Sequence, residues 1–203
     1  MGVSGQITFG VVGGPLIGIL LGPFLGGVAV LTGSLIGIFL NPGGAIFGVL
    51  TVLPPSLGAL SAGFMKLKRR SFIPGVIILT SVFVFYAHPF GRESALYPWL
   101  HIIAMVIAFS PLAKIGVSTF RSSNIKRTSL GIPIAAFVGT LTDHIFGSAL
   151  AIWYFSPFLT PDIWNFILFI YPLERIVAVV LISIIAIPVY YRLKTSGLIE
   201  EKG

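Results

Sequence analysis

The first third of the chain contains no charged side chain. No Asp, Glu, Lys or Arg occurs between Met1 and Met65, where most residues are Gly, Leu, Ile, Val, Phe, Ala or Pro. In a bilayer each charge at mid-depth costs roughly 2.5–3.5 kcal/mol, so segments that cross a membrane lose their charges. Over all 203 residues only 9% are charged, against about 25% in an ordinary globular domain. The sequence therefore predicts an all-α, polytopic membrane helix bundle.

The apolar runs predict about six transmembrane helices, since a spanning helix takes about 20 residues. They are separated by basic clusters and by turns such as Asn41-Pro42-Gly43-Gly44. These spans leave no room for a soluble domain, so residues 1–203 are predicted to form one integral membrane domain. Residues 1–21 alternatively form an extra span or a re-entrant segment, which would place the N-terminus outside. The predicted spans are 9–40 (broken or bent near Gly22-Pro23), 45–65, 72–87, 97–117, 130–155 and 163–191.

The distribution of basic residues predicts the orientation. With both termini in the cytoplasm, Arg92 is the one basic residue in the predicted outer loops, and ten basic residues fall in the predicted cytoplasmic segments. Cytoplasmic loops of membrane proteins are enriched in Lys and Arg, so a multi-pass protein of the cell membrane with both termini inside is expected. The basic residues of the predicted cytoplasmic segments are Lys66, Lys68, Arg69, Arg70, Arg121, Lys126, Arg127, Arg192, Lys194 and Lys202.

Ionisable residues inside the last two spans are the candidate functional residues. Asp143 lies about halfway along the fifth span, among small residues that leave space around its carboxylate. In the sixth span Tyr171, Glu174 and Arg175 share one side at helical spacing. Such residues usually face the bundle interior, pair with one another and mark a site. Two interpretations stay open: a buried Asp143–Arg175 pair that fixes helix register, and a site that binds a ligand.

Other polar and aromatic residues complete the predicted site. His144 follows Asp143 but points about a quarter-turn away on the helix, and Asn165 is a further candidate for an outer cavity. Aromatic rings at the predicted outer boundary are suited to cover a planar ligand, although an interfacial belt would be enriched in the same way. His88 and His101 are interpreted as interface residues. The boundary aromatics are Tyr97, Trp99, Trp153, Tyr154 and Trp164.

Several kinds of chemistry are not expected. The chain has no cysteine, which excludes thiol catalysis and cysteine metal sites. No HExxH, GxSxG or Walker A motif occurs, so no metal, cofactor or catalytic residue is predicted, and ATP hydrolysis would come from another chain.

Glycines recur every four residues in the first predicted span. On a helix, Gly10, Gly14, Gly18, Gly22 and Gly26 form a smooth flank that a second helix can approach closely. That second helix belongs either to this chain or to a separate membrane subunit. Spacing alone leaves both alternatives open.

Several segments of the sequence resemble those of a known family. Gly14-Pro15-Leu16-Ile17-Gly18 to Gly22-Pro23-Phe24-Leu25-Gly26, followed by a second run rich in small residues, resembles the substrate-binding S components of energy-coupling factor transporters. The segments Asp143-His144 and Tyr171-Pro172-Leu173-Glu174-Arg175 resemble those of uncharacterised archaeal and thermophile members. Gly2 stands where cobalt and nickel members have histidine, which argues against metal uptake.

The resemblance implies that the chain captures a vitamin-like molecule from outside and is not itself an enzyme. A transmembrane coupling subunit and separate ATPase subunits would drive transport, with Gly14, Gly18 and Gly22 as the expected docking face. The expected substrate-binding residues are Asp143, His144, Glu174, Arg175, Tyr171, Trp153 and Asn165. Two alternatives stay open: an intramembrane lipid-modifying enzyme that uses Asp143, His144 and Glu174, and a structural subunit of a membrane complex.

Overall fold

The computed structural model describes residues 9–121, 125–156 and 158–198. Within these ranges no residue belongs to a β-strand, which confirms the all-α prediction. Two short 3-10 helices, Pro42–Gly44 and Gly48–Val52, join α2 to α3. The α-helices of the described residues are α1 (Phe9–Leu21), α2 (Pro23–Leu40), α3 (Leu53–Phe64), α4 (Ile73–Ala87), α5 (Pro89–Glu93), α6 (Trp99–Phe109), α7 (Pro111–Arg121), α8 (Ile125–Tyr154) and α9 (Pro161–Thr195).

Several of these helices are long and apolar enough to cross a membrane. Pro23–Leu40, Ser129–Tyr154 and Pro161–Thr195 each satisfy that condition, and α6 with α7 would make a fourth span bent by 69°. The other apolar helices, α1, α3 and α4, have 13, 12 and 15 residues, fewer than the about 20 of a full span. By length and composition the described residues thus contain three or four membrane-capable helices, and the finer prediction of six spans is not confirmed.

The first predicted span is two helices because the chain reverses at Gly22. Gly22 has a φ of 84°, which glycine adopts without steric cost, and Pro23 then starts α2. A Cβ added at Gly26 would lie 2.9 Å from the Cα of Gly18, whereas residues eight positions apart on one helix are about 12 Å apart. The helices α1 and α2 therefore form a hairpin rather than one bent helix.

The fourth predicted span is also divided. Ser110 has an extended ψ of 169°, because a residue that precedes proline is disfavoured in the helical region. Its hydroxyl accepts a hydrogen bond from the N–H of Leu112 at 3.1 Å, which starts α7 after the break. Pro111 thus divides this span into two helices with a bend of 69° between them.

The glycines of α1 are used for packing within the chain. Gly14 and Gly18 are buried against the backbone carbonyls of Pro55 and Ala59 in α3. Because these contacts follow the same order along both helices, α1 runs parallel to α3. Gly22 lies at the turn of the hairpin and also packs against α3, since a Cβ added at Gly63 would lie 2.6 Å from its carbonyl carbon. All three residues of the predicted docking face, Gly14, Gly18 and Gly22, therefore contact α3 of the same chain, and docking of a separate subunit on this face stays a prediction.

Charged residues divide the bundle into two ends. The basic end is defined by Lys66, Lys68, Arg69, Arg70, Arg192 and Lys194, and the cavity end by residues 41–52, 94–98, 155–156 and 158–160. At the basic end, Lys66 Nζ donates to the carbonyl of Ile19 at 2.9 Å and Lys194 Nζ donates to that of Phe120. Lys202 and the side chains of Arg121, Lys126 and Arg127 lie outside the described parts.

The described chain enters and leaves the bundle at opposite ends. Helix α1 begins at the cavity end, whereas α9 finishes at Thr195 on the basic end. The hairpin adds one helix to the predicted count, and this changes the relative positions of the first and last helices. The terminal residues 1–8 and 199–203 lie outside the described ranges, so the cytoplasmic location of both termini stays a prediction, and the alternative of an extra span within residues 1–21 stays open with it.

Candidate functional site

A cavity of about 720 Å³ lies between the α1–α2 hairpin, the start of α3, and the helices α8 and α9. Asn41, Phe47 and Phe155 line it at the cavity end, and Asp143 and Arg175 line it near the middle of the bundle. Asp143 is 11 residues before the end of α8, a depth of about 16 Å at the rise of an α-helix. The cavity therefore joins one end of the bundle to its buried charged residues.

Asp143 and Arg175 face each other across α8 and α9. Arg175 Nη1 lies 3.9 Å from Asp143 Oδ2, and the side chains of Arg175 and Asp143 are only 8% and 10% exposed. Arg175 Nη2 donates to Glu174 Oε1 at 3.1 Å. Removing charges from water is costly unless opposite charges compensate for it, which explains why these residues come together. The predicted proximity of Asp143 and Arg175 is confirmed.

Small residues provide the space for Asp143. A Cβ added at Gly58 of α3 would lie 2.9 Å from the Asp143 Cβ and 3.1 Å from the carbonyl oxygen of Gly139. One turn further along α8, Gly147 lines the cavity, and an added Cβ would meet only Pro54 at 3.7 Å. The stripe of small residues in α8 thus packs against α3 at Gly139 and opens into the cavity at Gly147.

Histidines and tyrosines form a cluster beside the ion pair, which we call the His–Tyr cluster: Tyr97, His101, His144 and Tyr171. The imidazoles of His101 and His144 are stacked, with His101 Nε2 and His144 Nδ1 at 3.0 Å. Tyr171 lies against both rings, at 5.1 and 4.7 Å between centroids. The close nitrogen pair requires one donor and one acceptor, so a single proton occupies the space between the two imidazoles.

Hydrogen bonds fix Tyr97 in this cluster. Its hydroxyl lies 2.8 Å from Ser148 Oγ and 3.5 Å from His144 Nε2, and its carbonyl accepts a hydrogen bond from Tyr171 at 2.8 Å. Ser148 in turn donates to the carbonyl of His144 at 2.8 Å. Tyr97, His144 and Ser148 line the cavity, so this part of its wall is held in one arrangement.

Two buried donors beside the cavity have no partner among the described residues. They are the Nε1 atom of Trp164 and the Nε atom of Arg175. Both residues line the cavity, and they are 3% and 7% exposed. A buried donor without an acceptor costs about 1–3 kcal/mol, so it marks a place where a ligand or an ordered water would be stabilising.

The predicted site residues fall into two groups. Asp143, His144 and Arg175 line the cavity, and Tyr171 packs directly behind them. The remaining three were predicted together with these but lie elsewhere: Glu174 reaches the cavity only through Arg175, Trp153 is 54% exposed and donates to Val84, and Asn165 is exposed on α9. Helical spacing predicted a shared depth for these residues but not the direction in which each one points.

Three residues of this region were not predicted as site residues from the sequence. His101 was interpreted as an interface residue, yet it is fully buried in the His–Tyr cluster. Tyr97 was assigned to an aromatic belt but is 1% exposed, and Ser148 was not considered. Tyr97 lies in the turn before α6 and His101 in its first turn, so the helical spacing of α6 alone did not indicate that both contact α8.

Metal ligands are not grouped in this site. Within the described ranges, no three His, Cys, Asp or Glu side chains lie close enough together to hold a metal ion. The chemistry offered by the cavity wall is one carboxylate, one guanidinium, the imidazole of His144 and several aromatic rings, with His101 buried behind His144.

Comparisons with known proteins give a distant relative. No family model matches the chain. An uncharacterized protein of Methanocaldococcus jannaschii is 34% identical over 137 residues, which are 68% of this chain and 46% of that protein. The chain thus spans less than half the length of this relative. No solved structure matches.

Proposed function

We propose that this chain is the membrane-embedded capture subunit of an uptake transporter for a small, vitamin-like molecule. The observation that carries this proposal is the cavity of about 720 Å³ that ends at the buried pair Asp143–Arg175. Ligand sites are typically cavities of about 300–1,000 Å³, mostly apolar, with a few convergent polar groups. A purely structural subunit has no need of such a cavity.

The charge distribution supports uptake from outside. Basic residues favour the cytoplasmic side of a membrane, so the basic end is assigned to the cytoplasm and the cavity end to the exterior. A molecule would then reach Asp143 and Arg175 from outside. The resemblance to S components of energy-coupling factor transporters favours the same function, with separate coupling and ATPase subunits. Because α3 covers Gly14 and Gly18, the coupling subunit would contact another surface.

A variant with a filled cavity tests this proposal. The purified chain is incubated with a small-molecule extract of its native cells and examined by native mass spectrometry. Gly147→Phe places a ring in the cavity, since an added Cβ there meets only Pro54 at 3.7 Å. We expect one compound to bind the wild type and not this variant, while thermal stability is retained. If no compound distinguishes the two proteins, the capture function is wrong.

Intramembrane acid–base catalysis on a lipid is the second candidate. The observation in its favour is the 3.0 Å contact between His101 and His144, since an imidazole pair can accept and return a proton. Asp143 and Glu174, the other predicted acid–base groups, both contact Arg175 instead of the imidazoles. Lipid extracts incubated with the wild type or with His144→Phe distinguish the two functions, because an enzyme would form a product that the variant does not form.

A further inference from the structure

The charged pair in the cavity wall is not joined by a direct hydrogen bond. Charge-assisted N–H···O bonds have lengths of about 2.7–2.9 Å, whereas Arg175 Nη1 and Asp143 Oδ2 are 3.9 Å apart. Within the described ranges no side chain donates a hydrogen bond to the Asp143 carboxylate. The cavity wall thus presents the Asp143 carboxylate, an acceptor, beside the Arg175 guanidinium, a donor, and the two do not form a hydrogen bond with each other.

The same wall contains more unused donors. Arg175 Nε and Trp164 Nε1 are buried without an acceptor among the described residues. Asp143 and Arg175 line the cavity with opposite charges, while Glu174, which does not line it, already accepts a hydrogen bond from Arg175 Nη2 at 3.1 Å. A purely cationic ligand would leave the free Arg175 donors without an acceptor, and a purely anionic ligand would leave the Asp143 carboxylate without a donor. An uncharged ligand with both a donor and an acceptor would satisfy the two lining residues.

The shape of the wall favours a flat ligand. Tyr97, His144 and Trp164 line the cavity beside the charged pair, and Phe47 and Phe155 line it nearer to the cavity end. The rings of Tyr97 and Trp164 are held edge to face at 4.9 Å between centroids, so their orientation is fixed by packing. Aromatic walls gain energy from contact with another planar ring.

From these observations we propose that the cavity binds an uncharged planar heterocycle that carries an N–H next to a carbonyl, as in a lactam or a cyclic ureide. The N–H donates to the Asp143 carboxylate, and the carbonyl accepts from the Arg175 guanidinium. This inference rests on the proposed capture function and specifies the chemical class of its ligand.

Four two-ring probes test the class of ligand. Quinazoline-2,4-dione has the N–H and carbonyl edge, and its 1,3-dimethyl derivative lacks both N–H groups. 2-Naphthoate and 2-naphthamidine are similar in size but carry a negative and a positive charge. The full chain in lipid nanodiscs is titrated with each probe by isothermal calorimetry. We expect quinazoline-2,4-dione to bind at least about ten-fold more tightly than the other three, which corresponds to one hydrogen bond to a charged group.

Two variants assign the preference to the charged pair. Asp143→Asn keeps the size of the side chain and removes its charge, so the preference for the dione over its dimethyl derivative should fall about ten-fold. If this variant does not fold, Asp143→Leu combined with Arg175→Met replaces the pair by apolar groups, which buried pairs often tolerate. It should bind both compounds equally. Asp162→Asn removes an exposed acid at the start of α9 and should bind as the wild type does.

The outcomes separate this inference from the proposed function. A preference for either charged probe, equal binding of the dione and its dimethyl derivative, or no binding of any probe would overturn the lactam or ureide class. The capture function would still stand if the native extract contains a compound that binds the wild type and not Gly147→Phe. If no such compound exists, both proposals fail.

Discussion

Adding a methyl group to Gly18 should separate two helices of the bundle. The Cβ of Gly18→Ala would overlap the carbonyl oxygen and carbon of Ala59 in α3. These are backbone atoms, which have no alternative rotamer, so α1 or α3 would have to move. At Gly14 the corresponding distance is 2.9 Å, to the carbonyl oxygen of Pro55, and at Gly13 nothing lies within 4 Å. The space available for an added Cβ therefore decreases from Gly13 to Gly14 to Gly18, three glycines of the same helix.

The expected change in unfolding free energy is the sum of two opposing contributions. Overpacking a close contact costs about 1–3 kcal/mol, and replacing glycine by alanine within a helix gains about 1 kcal/mol. Gly18→Ala should take the upper value and lose about 2 kcal/mol of unfolding free energy. Gly14→Ala should lose about 0–1 kcal/mol, and Gly13→Ala should gain up to about 1 kcal/mol. For a chain of this size about 2 kcal/mol corresponds to a Tm change of about 4–8 °C.

Thermal unfolding of the isolated chain in one detergent measures this series. Size-exclusion chromatography after heating gives the Tm of each variant, and Gly13→Ala is the matched control on the same helix. We expect the Tm to be lowest for Gly18→Ala, higher for Gly14→Ala and higher again for the wild type. The Tm of Gly13→Ala should equal or exceed that of the wild type. If all three variants unfold at the same temperature, α1 does not pack on α3 through these glycines, and a docking face for another subunit becomes the better interpretation.

Three further predictions concern the charged pair, the orientation and the His–Tyr cluster. Arg175→Gln should cost about 3 kcal/mol, because it leaves the buried Asp143 charge without a partner, and Asp143→Asn should cost less, because Arg175 keeps its contact with Glu174 at 3.1 Å; in a double-mutant cycle of unfolding free energies, additive effects would show that Asp143 and Arg175 do not interact. Cysteines that replace the exposed Lys68 and Glu93 should react with an impermeant maleimide from opposite sides of the membrane, and labelling from one side would contradict the two ends of the bundle. Tyr97→Phe removes a buried hydroxyl and should lower the unfolding free energy by about 1 kcal/mol in chemical denaturation, an effect that would be absent if its hydrogen bonds do not form.

Labelling requires residues that the structure exposes. Ser94 is unsuitable as a labelling site, because it is fully buried and its hydroxyl donates to the carbonyl of Pro161 at 3.4 Å. Glu93 and Lys68 are suitable for testing the orientation, because both are exposed and they lie at opposite ends of the bundle.

The sequence predicted the last helices well because their signals are local. Helices α8 and α9 agree with the predicted spans 130–155 and 163–191, since long apolar runs must form internal hydrogen bonds in a membrane. The pairing of Asp143 with Arg175 followed from the cost of an unpaired buried charge. Both inferences depend on properties of single segments and on the two charges that interrupt them.

The first helices were predicted poorly because glycine and proline permit several backbone paths. A reversal at Gly22 and a bend there give the same apolar composition, and only a φ of 84° distinguishes them. The glycines of α1 also fit either an internal or an external partner. Contact with Pro55 and Ala59 selects the internal partner, through residues more than 40 positions away in the chain.

By itself the sequence determined an apolar helical protein, the separation of its basic residues from its apolar runs, and the buried opposite charges at Asp143 and Arg175. Tertiary structure alone decided which side chains share the cavity. His101 and His144 meet because α6 runs antiparallel to α8, while Trp153 and Asn165, at suitable depths, point away. Depth along a helix follows from residue number, at about 1.5 Å per residue. Whether a side chain at a given depth faces the cavity or points away from it depends on where the neighbouring helices pack.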